Sequence, residues 1–101
     1  KSVDEIEDHA FYNCVSLVKV ETHDGIRKVG KKAFCRCKLL RRINLQSAVE
    51  IDYGAFAGCR NLVEVEFGDE LERIGNNAFA YCTSLKHLKL PSIVTIEGDA
   101  F

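Results

Sequence analysis

The chain lacks most of the features that announce a function on their own. It has no tryptophan, and no Gly-x-Gly-x-x-Gly or Gly-x-x-x-x-Gly-Lys pattern that would cradle a phosphate. There is no Gly-x-Ser-x-Gly elbow and no His-Glu-x-x-His pair, and the carboxylates are spread through turns. No catalytic residue can be named, which points away from an enzyme. The uncharged stretch from Gly75 to Leu85 is too short and too polar to cross a bilayer, so membrane insertion is not expected. No charged-then-apolar leader opens the chain, and nothing in the residues addresses it to a compartment. A formal charge of only -1 gives no global field to draw in nucleic acid or an acidic membrane.

What is present is repetition. With 101 residues, 47% apolar and 29% charged, the chain has the size and balance of one globular domain. Ala-Phe recurs at Ala10-Phe11, Ala33-Phe34, Ala55-Phe56, Ala78-Phe79 and Ala100-Phe101, in steps of 22 or 23 residues. That is the period of a solenoid. Cut before the apolar residue seven positions ahead of each pair, the units are 3–25, 26–47, 48–70, 71–92 and a partial 93–101. Because the sequence starts within a repeat and stops at Phe101, it is expected to be a segment of a longer protein. Without polar capping repeats, its apolar ends are expected to meet neighbouring repeats or to associate end to end.

The columns of the repeat give its shape. Val3, Ile26, Ala48, Leu71 and Ile93 align, as do Ile6, Val29, Ile51, Ile74 and Ile96. Cys14, Cys37, Cys59 and Cys82 form a third column, Leu17, Leu40, Leu62 and Leu85 a fourth, and each is expected to stack as a buried ladder. From Phe56 to Cys59 to Leu62 the step is three, the period of a tight 3₁₀-like arc. From Val65 to Phe67 it is two, the mark of a strand with alternating faces. The expected fold is therefore an α/β-type repeat solenoid, mostly β with 3₁₀ or irregular arcs, having a parallel sheet on one face and four full coils plus a partial fifth.

The same columns, carried almost completely by Leu71, Ile74-Gly75, Ala78-Phe79, Cys82, Leu85, Leu88 and Leu90-Pro91, resemble the BspA-like leucine-rich repeat family. The resemblance covers essentially the whole chain. It implies a leucine-rich repeat solenoid whose sheet face binds other proteins or extracellular matrix, a cell-surface or extracellular setting, and no catalytic residues to carry over. The chain departs from the pattern where Thr22-His23, Leu45-Gln46 and Phe67-Gly68 replace the Leu-Pro ending.

Five cysteines first suggest a metal or disulfide framework, yet four share one inward column, where a free thiol packs as a small hydrophobe. Zinc is disfavoured because Cys-x₂₋₄-Cys pairs are missing, and no cofactor is expected. Cys35 lies outside the column. Lys32 and Arg36 beside it would lower its pKa if it were exposed, which makes a reactive thiol one reading and an incidental, partly buried cysteine the plainer one. His9, His23 and His87 fall in three different columns and read as surface residues.

The largest local anomaly is the second repeat, where Arg27, Lys28, Lys31, Lys32, Arg36, Lys38, Arg41 and Arg42 occur without an acid. One reading is an anion site at Lys32, Arg36, Lys38, Arg41 and Arg42, for an acidic glycan or another anion. The plainer reading is charge-matched stacking, since Glu5, Lys28, Glu50 and Arg73 fall in one row and Lys19, Arg42, Glu64 and His87 in another. Aromatics do not interleave with these bases, so nucleic acid is not expected. Alternation puts Lys19, Glu21, His23, Arg42, Asn44, Gln46, Glu64, Glu66, His87 and Lys89 on the outer sheet face, the binding face that the resemblance implies. That face is polar, mixed in sign and without aromatic anchors. The expected function is a non-enzymatic protein-interaction scaffold, with a spacer that binds nothing, or an anion binder using the second repeat, as the alternatives.

Overall fold

The step of two at Val65 and Phe67 is realised as a strand. The computed structural model describes residues 4–22 and 25–101. Through them run eight strands: β1 (Glu5–Ile6), β2 (Lys28–Val29), β3 (Arg42–Leu45), β4 (Glu50–Ile51), β5 (Glu64–Phe67), β6 (Arg73–Ile74), β7 (His87–Lys89) and β8 (Thr95–Ile96). β3, β5 and β7 make the sheet expected from the sequence. A second ladder, β1-β2-β4-β6-β8, runs beside the first apolar columns. All pairings are parallel, and no helix forms among the described residues. The fold is a parallel-sheet solenoid.

Register follows from like stacking on like. Ile6, Val29, Ile51, Ile74 and Ile96 are successive partners in the five-stranded sheet, and Ile43, Val65 and Leu88 in the three-stranded one. A slip of one residue would turn these side chains to solvent. Between the sheets the chain takes the arc that the three-residue spacing implies. The Cys59 N–H donates to the Phe56 carbonyl and the Leu62 N–H to the Cys59 carbonyl, both at 3.2 Å. Intervening amides reach the next coil instead: those of Lys32, Phe34 and Arg36 donate to the carbonyls of Tyr53, Ala55 and Ala57 at 2.7–2.9 Å. The backbone of the arc is thus satisfied alternately within a coil and between coils.

This alternation places a left-handed residue two positions on either side of Phe11, Phe34, Phe56 and Phe79. His9, Lys32 and Asn77 take φ of 61°, 53° and 59° on one side, and Asn13, Arg36 and Tyr81 take 60°, 64° and 62° on the other. Glycine fills both positions only in the third coil, at Gly54 and Gly58. A non-glycine residue there costs on the order of 1–2 kcal/mol. The inter-coil hydrogen bonds and the core outweigh that cost.

The phenylalanines stack through the axis of the molecule. Ring centroids of Phe11, Phe34, Phe56, Phe79 and Phe101 follow one another at 5.2–5.4 Å with planes within 11°. Phe34, Phe56, Leu40, Leu62, Ile51 and Ile74 are fully buried. The ladders are less complete than the columns imply. Ile93 is 89% exposed, Phe101 55% and Phe11 37%, because the outermost coils are covered on one side only. Val3 lies outside the described residues.

Candidate functional site

The outer face of the three-stranded sheet is built by in-register pairing. Arg42, Glu64 and His87 are successive partners, with Lys19 joined to Arg42 by a parallel bridge, and Asn44, Glu66 and Lys89 form the row beside them. Lys19, Glu21, Arg42, Asn44, Gln46, Glu66, His87 and Lys89 are exposed and Glu64 half-buried, so alternation places them outward as expected. His23 lies outside the described residues. Two shallow depressions of about 600 Å³ and about 560 Å³ lie side by side on this face and share Glu64 and Glu66. Ion pairs lace it, with Lys19 to Glu21 at 3.3 Å and Arg42 to Glu64 at 3.6 Å.

The five-stranded sheet carries the other charged row. Lys28 sits between Glu5 at 4.0 Å and Asp52 at 3.8 Å. Arg73 bonds Glu50, reaches Glu97 at 3.0 Å and lies 3.6 Å from Asp52. The hydrogen bond to Glu50, ahead of all other influences, holds the Arg73 guanidinium more firmly protonated. Asp52, only 8% exposed, also accepts the Tyr53 N–H at 2.7 Å. This is charge-matched stacking. Partly exposed pairs of this kind fix register more than they add stability.

The bases of the second repeat divide accordingly. Lys28 and Arg42 are taken by acids of neighbouring coils, and Arg27 by Glu70 at 3.4 Å. Arg42 stands on the sheet face, apart from Lys32, Arg36 and Lys38 on the arc, while Arg41 lies at the corner and lines the first depression. The five residues expected to form one anion site therefore lie on two surfaces. One residue that the repeat-by-repeat reading passes over belongs with the arc: Arg60 occupies the column of Lys38 in the next coil. The signal was its alignment with Lys38, four residues after the phenylalanine.

The thiols are structural. All five cysteines are free, and Cys37, Cys59 and Cys82 each donate to the carbonyl of the phenylalanine one coil earlier, at 3.1, 3.0 and 3.1 Å. Burial pushes the Cys37 thiol up to about 11 and the Cys82 thiol to about 12, and raises Cys59 as well. Cys35 is buried rather than exposed. Burial raises its pKa, and the opposing charges of Lys32 and Arg36 do not reverse this, so the geometry contradicts a reactive thiolate there. Among the described residues no group of three or more His, Cys, Asp or Glu side chains is placed to hold a metal.

These raised values have a consequence in alkali. Above the ordinary thiol pKa of about 8.5 the unfolded chain releases protons that the folded chain retains, so stability must fall with rising pH. The contribution is intact below pH 8.5 and is lost as pH climbs through the folded value of about 11 for Cys37. Urea titrations at pH 7, 9 and 10.5 should show a falling midpoint. A Cys37→Ala, Cys59→Ala, Cys82→Ala variant should show a flatter dependence, and equal slopes would refute the assignment.

The repeat columns, the paired sheets and the phenylalanine stack together match a known pattern. The family model for the BspA type leucine rich repeat region matches in six copies across residues 1–101. The chain belongs to the BspA-type leucine-rich repeat family. Among solved structures, a leucine-rich cell surface protein of Faecalibacterium prausnitzii is 39% identical over 98% of this chain and 28% of its own, with a TM-score of 0.88. A leucine-rich repeat protein of Bacteroides ovatus is 34% identical over 82% of this chain and 22% of its own, with a TM-score of 0.79. The leucine-rich repeat protein of Treponema pallidum is 26% identical over 83% of this chain and 50% of its own, at 0.53. No curated protein is significantly similar to the chain.

This BspA-type chain spans less than a third of the length of the first two relatives. Leucine-rich repeats are generally protein-interaction scaffolds, and nothing in the described site supplies a catalytic constellation. The solenoid form suits that role, because each coil adds surface without altering the core of the others.

Proposed function

We propose that this BspA-type chain is a protein-interaction scaffold that presents the outer face of β3, β5 and β7 to a protein partner, as a surface-exposed adhesive element. The observation that carries the reading is the in-register polar face itself. Its rows Arg42-Glu64-His87 and Asn44-Glu66-Lys89 stand outward on a backbone fixed by parallel pairing, beside two adjoining depressions. Such a face needs little ordering on binding, which limits the entropic cost of association. Likeness to a protein described as a leucine-rich cell surface protein supports the setting.

The test is binding of the chain to immobilised collagen, laminin and fibronectin, compared with an Asn44→Trp, Glu66→Trp variant that fills the face without touching the core. At least a tenfold loss in the variant is expected, the scale of a central contact in an interface. Arg36→Ser on the arc should bind as the unaltered chain does. Binding that survives the tryptophans would refute use of this face, and a chain that binds none of the proteins would act here as a spacer.

A further inference from the structure

The charges of this nearly neutral chain are segregated by wall. Taken between the same two columns in each of the first four coils, the stretches 9–18, 32–41, 54–63 and 77–86, which form the arcs and their exits, contain no Asp or Glu, while the fifth opens with Asp99. The bases on the arcs gather in the second and third coils. Among the described residues no ion pair reaches the side chains of Lys31, Lys32, Arg36, Lys38 or Arg60. Asp8 lies beside Lys31 and accepts its backbone N–H at 2.8 Å, but no acid shares the columns of Arg36, Lys38 and Arg60, and the one in the column of Lys32 is Asp99, three coils away.

The third coil makes that wall flat. Gly54 and Gly58 share the columns of Lys32 and Arg36, and Ala57 the column of Cys35. A Cβ built on Gly54 would lie 3.3 Å from Lys32 Cγ, and one on Gly58 3.5 Å from Arg36 Cγ. The aliphatic stems therefore rest on bare backbone of the next coil, and the Lys32 ammonium reaches 5.9 Å from the Tyr53 ring centre. Lys38 and Arg60, stacked in one column, stand on coils about 4.8 Å apart. Both Lys32 and Arg36 hold left-handed backbone, at φ 53° and 64°, where glycine would relieve strain. Long cations are kept at positions that the fold alone would fill better with glycine.

We propose that the arc wall of the second and third coils, centred on Lys32, Arg36, Lys38 and Arg60, binds a linear sulfated polysaccharide. The occupant must be a polyanion, because the cations of Lys32, Arg36, Lys38 and Arg60, which no ion pair reaches, offer charge complementarity and little else. It must lie on a flat surface floored by Ala57 and Gly58 rather than enter a groove. Single-stranded nucleic acid fits less well, since the exposed rings of Tyr12, Tyr53 and Tyr81 fall in three different columns, with Tyr12 against His9 and Tyr53 approached by Lys32, which leaves no continuous run of aromatics for bases to stack on. This wall is distinct from the sheet face, and either surface can fail without the other.

The experiment measures binding of the chain to a heparin oligosaccharide and to poly-uridine RNA at 50 and 300 mM NaCl. Heparin should bind at low salt and weaken steeply at high salt, as counterion release requires. A Lys32→Gly, Arg36→Gly variant should keep or raise the Tm yet lose about 30-fold or more in heparin affinity, because relief of left-handed strain and loss of the ligand cations act in opposite directions. An Arg42→Ser, Lys89→Ser variant removes the same charge from the sheet face and should lose less than about threefold if the loss is local rather than a net-charge effect. Equal losses in the two variants, no heparin binding at 50 mM NaCl, or RNA binding as tight as heparin would each overturn the proposal.

Discussion

Phe56→Ala is expected to destabilise the protein by about 3–5 kcal/mol, the range for truncating a fully buried phenylalanine. The ring has no exposed surface and lies between Phe34 and Phe79, at 5.2 and 5.3 Å with planes within 5°. Removing it opens a cavity in the middle of the stack, and each neighbouring ring loses the partner on one of its faces. The arc cannot collapse into the gap. Its amides are tied on both sides, Phe34 N–H to the Ala55 carbonyl and Phe56 N–H to the Ala78 carbonyl, each at 2.7 Å. Equilibrium urea denaturation should place the midpoint far below that of the unaltered chain. Phe101→Ala, at a ring 55% exposed, should cost much less, about 1 kcal/mol. A cost for Phe56→Ala no larger than that of Phe101→Ala would refute the stack as the centre of the core.

Gly68→Ala carries the second large effect, about 2–3 kcal/mol, through overpacking against rigid backbone. A Cβ at Gly68 would lie 2.2 Å from the Gln46 carbonyl oxygen and 3.2 Å from its carbon. No rotamer relieves this, because the obstructing atoms are main chain. β3 and β5 would have to splay just beyond the Leu45 and Phe67 pair, where the sheet ends. Gly98→Ala is the matched control: nothing lies within 4 Å of its Cβ position, and the change should stay within about 0.5 kcal/mol. Thermal unfolding of the two variants side by side checks the difference. A Gly68→Ala protein as stable as Gly98→Ala would refute the close approach of the two coils at Gly68.

How much of this was legible beforehand depended on whether a position needs a residue type or only a conformation. The Phe, Cys and Leu columns need apolar side chains of set size, so they were visible by alignment alone, and the register of Glu5, Lys28, Glu50 and Arg73 followed from them. The left-handed positions need only a backbone angle. His9, Lys32, Gly54 and Asn77 share it and share no chemistry, so no pattern in the letters could mark them. The second sheet was hidden for a related reason, since strands of two residues are too short to show alternation. On the candidate surfaces, the outer sheet face followed from period two. The basic wall did not, because Arg60 belongs to a different repeat from Lys38 and only stacking brings the two together.

The ionic rows also have a meaning for how such a chain can change its length. The core columns treat every coil alike, so by packing alone any coil could follow any other. The charges do not. If residues 48–70 were deleted, Lys28 would be set against Arg73 and Arg42 against His87, where Glu50 and Glu64 now stand between them. In the first row unlike neighbours would become like ones, and in the second Arg42 would lose the acid it now faces. The coils therefore have a preferred order as well as a common shape, and duplication or loss of a unit that keeps the period can still disturb the pairing of its charges.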